Sequence, residues 1–371
     1  MDIAFVTNVV YPFVTGGAEK RVYEIGTRLT DRGHTVTVYG RHFWDGSAET
    51  THDGLRLRAV ADERVLYTDD RRSIGEAIEF GLRLLGPLRR NLDAHDVVVA
   101  SVFPYFPVLA AGAATWRRDV PLVTTWHECW REYWWEYLGY LGIAGIGVER
   151  ATAAVPQHPV AVSSVTADRL AGIGPARDSI DVVPNGVDVE RIRAIEPADT
   201  SFDVLFVGRL VEAKRVDLLL EAAATVEDAA VGIVGDGPER DRLESLAGSL
   251  GIADRVSFLG FLEEYDDVLA HLRAAEVFAT ASVREGFGIT LVEAMAADCT
   301  VVAVDHPNSA ATEVVDGAGF LAEPTVESLS TELERALSGV RPPVAPTSRA
   351  ATFDWDNVTD RAETVYRRVL D

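Results

Sequence analysis

Two periods alternate along the chain. Short continuous apolar runs recur at Ile3–Val10, Thr35–Tyr39, Leu55–Val60, Val97–Val102, Leu122–Trp126 and Val160–Ser163, and each reads as a strand, with Leu55–Val60 the more exposed. Between them apolar residues fall at helical spacing, as in Ala18, Val22, Ile25 and Leu29, a helix that Gly33-His34 stops. Residues 61–95 read as mostly helical and charged. The alternation begins again at Asp203–Val207 and runs through Ala230–Val234, Val256–Leu259, Val277–Ala281, Val301–Val304 and Gly319–Leu321. Helices of about ten to fifteen residues separate these runs. Strands and helices in this order make parallel, doubly wound sheets. The break between the two series lies near Ala171–Asp178, rich in Gly and polar residues. The pattern predicts two Rossmann-like α/β domains facing a central cleft, residues 1–177 and 178–354. After the Pro-rich linker Val340–Pro346, the tail Trp355–Leu370 forms an amphipathic helix with Trp355, Val358, Ala362, Val365 and Leu370 on one face. It is expected to cross back, so that residues 355–371 join the first domain.

Composition narrows the classes of function. The chain has 371 residues, 47% of them hydrophobic, enough for two full cores. Met1-Asp2 leads straight into an apolar strand with no basic segment before it, so no signal peptide is expected. No apolar run approaches the length that spans a bilayer. The net charge is −23, and lysine occurs only at Lys20 and Lys214, so 33 of the 35 basic residues are arginine. Such a surface repels nucleic-acid phosphates. An acidic, lysine-poor composition resembles that of proteins from a high-salt cytoplasm, where a short Debye length screens self-repulsion. Cys129 and Cys299 fall in different halves and make neither a disulfide framework nor a metal cluster.

The stretch with the strongest chemistry runs from Arg284 to Ala296. A strand leads into Glu285, the turn Gly286-Phe287-Gly288 follows, and Ile289, Val292 and Ala296 then mark a helix carrying Glu293. A Gly-containing turn that opens a helix presents free amides and the positive end of the helix dipole, so it suits an anion. Two carboxylates flanking it could hold hydroxyls at either end of a sugar nucleotide. Gly208-Arg209-Leu210 and Lys214 follow another strand, where an arginine fork and a lysine point charge could meet one diphosphate. Gly235-Asp236-Gly237-Pro238 ends the next strand. It is read either as a plain turn or as a place for a nucleotide to approach the backbone. Thr15-Gly16-Gly17 opens the first helix and is expected to face the cleft. His127 ends a strand in the first half, placed to hydrogen-bond a transferred sugar, while Cys129 lacks an orienting base. Four of the seven tryptophans lie between positions 126 and 135, overlapping the aromatic run Trp130–Tyr140. Three roles are open to that run: a packed helix, a pocket stacking an acceptor sugar, or an amphipathic edge at a membrane interface.

In this order the motifs resemble those of the family 4 retaining glycosyltransferases of the GT-B fold. Glu285 and Glu293 fit the E-x7-E pattern, and Pro184–Asp188, Phe206–Leu210 with Lys214, Val234–Glu239, Phe258–Gly260 and Gly16–Glu19 fall in the family's sequence. The resemblance covers nearly the whole chain. It implies a nucleoside-diphosphate sugar donor and a saccharide or lipid-linked saccharide acceptor, in surface glycan or glycoprotein assembly. By resemblance Arg209 and Lys214 would bind the diphosphate and Glu285 the donor-sugar hydroxyls. Phe287, Gly288 and Ile289 would offer backbone amides, Glu293 would bind the ribose, and His127 would touch the sugar at the reaction centre. Gly16 and Gly17 would approach the diphosphate from the first domain. The family works without a metal ion or cofactor, and a cytoplasmic enzyme, at the inner membrane face if its acceptor is lipid-linked, is implied. A nucleotide-sugar epimerase and a non-catalytic nucleotide-sugar-binding protein are the alternatives. The run His306–Ala311 departs from the Gly pair many relatives carry there, so no role transfers to that loop, nor to the aromatic run.

Overall fold

The computed structural model describes residues 1–14, 16–64, 67–68 and 71–371; Thr15, in the predicted glycine turn, and residues 65, 66, 69 and 70, in the stretch expected to be helical, lie outside them. The chain divides into two compact units, Met1–Pro184 with Trp355–Asp371, and Asn185–Asp354.

The first unit is built on β1 (Asp2–Val6), β2 (Thr35–His42), β3 (Glu49–His52), β4 (Leu55–Asp62), β7 (Val97–Ser101), β8 (Leu122–Trp126), β9 (His158–Ala161) and β10 (Asp181–Val182), while β5 (Tyr67–Thr68) and β6 (Arg71–Arg72) pair separately. The sheet order is β10-β9-β8-β7-β1-β2-β4-β3, parallel throughout except for the edge pair β3–β4. β7 and β8 are buried at every residue, as strands covered by helices on both faces must be. The winding reverses between β1 and β7. In such sheets ligands bind at that point, beyond the carboxyl ends of the strands.

Several boundaries differ from those expected. β1 stops at Val6, because Asn8 turns into a buried cluster in which it contacts Arg41 and Glu76. Within 61–95 the described helix is Ile74–Asn91, with β4 continuing to Asp62 and the β5–β6 hairpin before it. β10 pairs with β9, so the first unit runs past the predicted break at 177 to Pro184. The C-terminal helix Trp355–Arg368 belongs to this unit, held on helix Gly17–Asp31 by ion pairs Arg28–Asp356 (2.8 Å) and Arg32–Asp360 (2.7 Å). Leu370 lies beyond its end and is exposed; Tyr366 fills its place on the buried face.

The second unit has one six-stranded, wholly parallel sheet: β11 (Val204–Val207), β12 (Val231–Val234), β13 (Val256–Gly260), β14 (Val277–Thr280), β15 (Thr300–Val304) and β16 (Gly319–Ala322), ordered β13-β12-β11-β14-β15-β16. This is the doubly wound order of dinucleotide-binding sheets, and its reversal lies between β11 and β14. Helix Ile289–Ala296 follows β14 and is buried from Leu291 onward, in keeping with its apolar surroundings on every side. Among the described residues no helix is long and apolar enough to cross a membrane.

Candidate functional site

The two loops that flank the reversal of the second sheet carry most of the charged candidates. After β11 the chain passes Gly208 and the exposed Arg209, plants Leu210 in the core, and makes a short helical turn over Glu212–Lys214. Arg215 then takes a left-handed conformation (φ 48°), which ends the turn and aims the chain into helix Val216–Thr225. After β14 the chain reaches Glu285. Because β11 and β14 are neighbours, these loops meet, and Lys214 Nζ donates to the Glu285 carboxylate. The two side chains stay 23% and 22% exposed, so the pair is open to exchange with a ligand. Arg209 makes no hydrogen bond or ion pair through its guanidinium among the described residues.

The backbone of Glu285 is braced from a loop to which the sequence assigned no role. Its amide donates to Asn308 O (3.1 Å) and its carbonyl accepts from Ala310 N (2.9 Å). The run that departs from the family pattern thus fixes the height of Glu285. The turn that follows needs glycine at Gly288. Its φ is +82°, and a Cβ there would lie 2.7 Å from Leu291 Cδ1 and 3.1 Å from Glu285 Cγ. Phe287 anchors the turn by packing edge-on against Phe353. Gly286 and Ile289 flank it, partly exposed, and the amides of Phe287, Gly288 and Ile289 donate to no acceptor among the described residues. Helix Ile289–Ala296 turns Glu293 inward, leaving it 2% exposed, and the Tyr265 hydroxyl donates to it, 2.7 Å from each carboxylate oxygen.

Gly235 serves packing. A Cβ on it would lie 2.0 Å from Gly208 O, and one on Gly237 would lie 2.3 Å from Leu210 O. The two loops are stitched by Gly208 N to Val234 O (2.9 Å), Leu210 N to Asp236 O (2.9 Å) and Glu239 N to Leu210 O (3.1 Å). The missing side chain is explained without a nucleotide: the segment supports the loop that bears Arg209.

In the first unit, Gly16 precedes helix Gly17–Asp31 in extended conformation, and a Cβ on it would meet only the end of the Glu19 side chain; Gly17 faces open space. His127 follows β8, its Nε2 3.4 Å from Ser101 Oγ at the end of β7. Burial, helped by the nearby Arg21 guanidinium, lowers the imidazole pKa to about 3, so the ring is neutral. Arg21, beside Lys20 on the first helix, carries no mark of its role in the sequence. It is buried and donates to the carbonyls of Val183 (3.1 Å) and Pro184. Burial lowers its pKa to about 10, which leaves it charged.

The loop after His127 is gripped by two more charged residues. Glu149, fully buried on helix Gly142–Ala153, accepts from Trp130 N (2.7 Å), Arg131 N (2.8 Å) and Tyr105 Oη (2.9 Å). Arg169 donates to Cys129 O (2.8 Å) and Trp130 O (3.1 Å). Burial and then Glu149 push the Cys129 thiol up, which keeps it an unreactive filler. The aromatic run divides. Trp126, Trp130, Trp134 and Tyr137 pack with Phe103 and Tyr105, Trp130 and Trp134 at 4.8 Å between centroids. Trp135, Tyr140, Leu141 and Ile143 remain exposed, Tyr140 at 95%. Among the described residues no three His, Cys, Asp or Glu side chains are grouped to hold a metal ion.

Comparison with known proteins places this arrangement. Residues 15–191 match the family model "Glycosyltransferase Family 4" and residues 188–350 the model "Glycosyl transferases group 1". A subunit of the phosphatidylinositol N-acetylglucosaminyltransferase from Homo sapiens is 25% identical over 387 residues, covering 99% of this chain and 76% of that protein. D-inositol 3-phosphate glycosyltransferase from Mycobacterium bovis (strain BCG / Pasteur 1173P2) is 35% identical over 224 residues, covering 54% of this chain and 46% of that protein, less than half its length. Among solved structures, sucrose-phosphate synthase from Thermosynechococcus elongatus matches with a TM-score of 0.78 at 19% identity, covering 99% of this chain and 98% of that one. HepE from Anabaena, solved with UDP and glucose, matches with a TM-score of 0.72 at 21% identity, covering 99% and 100%. At these identities the structural likeness shows the fold.

Proposed function

This chain belongs to the group 1, family 4 glycosyltransferases, with their GT-B fold, and on that premise we propose that it transfers a sugar, with retention of configuration, from a nucleoside-diphosphate sugar to a saccharide or lipid-linked saccharide. The observation that carries the reading is the meeting of Lys214 and Glu285 at the reversal of the second sheet. A sugar diphosphate needs cations for its phosphates and an acceptor for its sugar hydroxyls, and that pair supplies one of each. Arg209, exposed and unengaged among the described residues, adds a second cation. As the bond to the sugar breaks, negative charge grows on the departing diphosphate, and the two cations stabilise it there. In this proposal they do the work a divalent metal does elsewhere.

The chemistry then balances without a protein nucleophile. The acceptor hydroxyl forms its bond to the anomeric carbon on the face from which the diphosphate leaves. The carbon–phosphate-oxygen bond breaks, and the acceptor's proton passes to the leaving phosphate oxygen. His127, neutral because burial and Arg21 disfavour its cation, hydrogen-bonds the transferred sugar without adding charge. Glu293 takes the ribose, the free amides of the Phe287–Ile289 turn meet the donor, and Gly16-Gly17 lets the diphosphate approach backbone. The UDP-glucose complex of HepE supports a nucleoside-diphosphate hexose as donor. The lipid in the human relative's name and the exposed Trp135, Tyr140, Leu141 and Ile143 favour an acceptor anchored at a membrane surface on the cytoplasmic side.

The test measures nucleoside-diphosphate release over a panel of sugar nucleotides and acceptors at high salt. Glu285→Ala lowers transfer by about 100-fold or more with the circular dichroism spectrum unchanged. Undiminished transfer in that variant would refute the reading.

A further inference from the structure

The carboxylate assigned to the ribose is not open to it. Glu293 is 2% exposed, and the Tyr265 hydroxyl lies 2.7 Å from each of its oxygens. Equal distances put the phenolic oxygen midway between the two carboxylate oxygens, in the plane that bisects them. A vicinal diol that donates one hydroxyl to each oxygen straddles that same plane. Tyr265 and the ribose diol therefore compete for one place.

The surroundings of Tyr265 fit a residue that can leave. It is the first residue of helix Tyr265–Ala274, and the residue is 40% exposed, so its ring can turn to solvent without opening the core. Glu293 cannot follow, since its helix is buried from Leu291 onward. A carboxylate held in that position without a donor would be costly, because a buried charge needs hydrogen bonds in place of water. The phenol meets that need in the empty protein. The carboxylate in turn, after burial, raises the phenol pKa, so the hydroxyl keeps its proton.

We propose that Tyr265 is a placeholder for the ribose diol, satisfying Glu293 while the site is empty and swinging out when a nucleotide enters. The idea rests on Glu293 as the ribose ligand. It makes Tyr265 a residue that sets donor affinity by competing with the donor. Binding exchanges one phenolic donor for two ribose hydroxyls on the same carboxylate. A 2′,3′-dideoxy nucleotide cannot make that exchange.

The experiment titrates the full chain with UDP, GDP and ADP, each beside its 2′,3′-dideoxy analogue, in the wild type and in Tyr265→Phe. The ring and its packing survive in the variant, and only the competitor is lost. Ribonucleotide affinity rises about tenfold in Tyr265→Phe, the scale of one hydrogen bond to a charged group, while the dideoxy affinity stays constant. The melting temperature of the empty variant falls, because Glu293 has lost the Tyr265 hydroxyl. Tyr265→Leu moves both readouts the same way and serves if the phenylalanine variant folds poorly. Weaker or unchanged ribonucleotide binding in the variants overturns the proposal and makes Tyr265 a support of Glu293. Equal binding of ribo and dideoxy forms by the wild type, or no binding of any of the three, instead removes the ribose reading of Glu293 itself.

Discussion

The two units carry sheets of the same winding, yet their charged side chains are engaged in opposite ways. In the second unit the two carboxylates proposed to meet the donor are matched to side-chain partners. Glu285 holds Lys214 in a pair about one-fifth exposed, and Glu293 holds a tyrosine at the surface end of a helix. In the first unit the charges lie mostly buried and turn largely on the backbone. Glu149 binds two main-chain amides, Arg169 and Arg21 bind two carbonyls each, and Arg41 lies fully buried against Glu76. Exposed pairs cost little to break, whereas a buried charge that loses its partner costs several kcal/mol. On the proposed function, the second unit trades internal contacts for a ligand, whereas the charges of the first keep backbone segments in place.

The sharpest way to break this contrast is to remove one charge from each half. Glu149→Gln replaces an acceptor of two amides with a side chain that donates at one end, leaving at least one buried amide unpaired. A loss of about 3 kcal/mol in stability is expected, read from denaturant unfolding. Lys214→Ala is expected to cost no more than about 1 kcal/mol in the same measurement while abolishing transfer. Equal destabilisation by the two would erase the distinction.

A smaller effect is expected at Gly235. Alanine there needs a φ of 128° and a Cβ 2.0 Å from a backbone oxygen, so the loops must part. A loss of about 2 kcal/mol is expected, on the scale of overpacking with strain, together with weaker donor binding, because the displaced loop carries Arg209. Intact stability would mean that the Gly208 loop yields freely.

The smallest change expected is an absence of one. An unfolded histidine protonates near pH 6.5, whereas His127 in the fold does so at about 3. The folded pKa is the lower, so the stability this group contributes is present above pH 6.5 and is lost as the pH falls toward 3. Its charge does not change between pH 5 and 8, and kcat/KM should show no limb from it there. An NMR titration of the His127 ring with a midpoint near 6.5 would contradict this.

How much of this was legible in the sequence depends on distance along the chain. The six strands of the second unit fall within a residue or two of their apolar runs, because a strand buried on both faces must be continuously apolar. Glu285, the Gly288 turn and Glu293 were visible because they share one strand-turn-helix segment. Arg21 was invisible because its carbonyl partners lie at Val183 and Pro184, far along the chain. Glu149 sits in an ordinary Val-Glu-Arg sequence, and nothing local distinguishes it from a solvated acid until Trp130 and Arg131 fold onto it. Tyr265 carries no local signal, because Glu293, which it contacts, lies far along the chain. The break at 177 missed β10, whose two residues are too few for a pattern. The apolar face assigned to the tail ended on Leu370 because a periodic stretch does not show where its last turn frays.

The stitching of Val234–Glu239 onto Gly208–Leu210 also bears on engineering. The two segments interlock through three backbone hydrogen bonds and two places with no room for a side chain. A loop graft meant to alter donor choice cannot import the Arg209 segment alone, since it would arrive without the surface it was shaped against. The exchangeable part is the pair, transplanted as one cassette from a single parent.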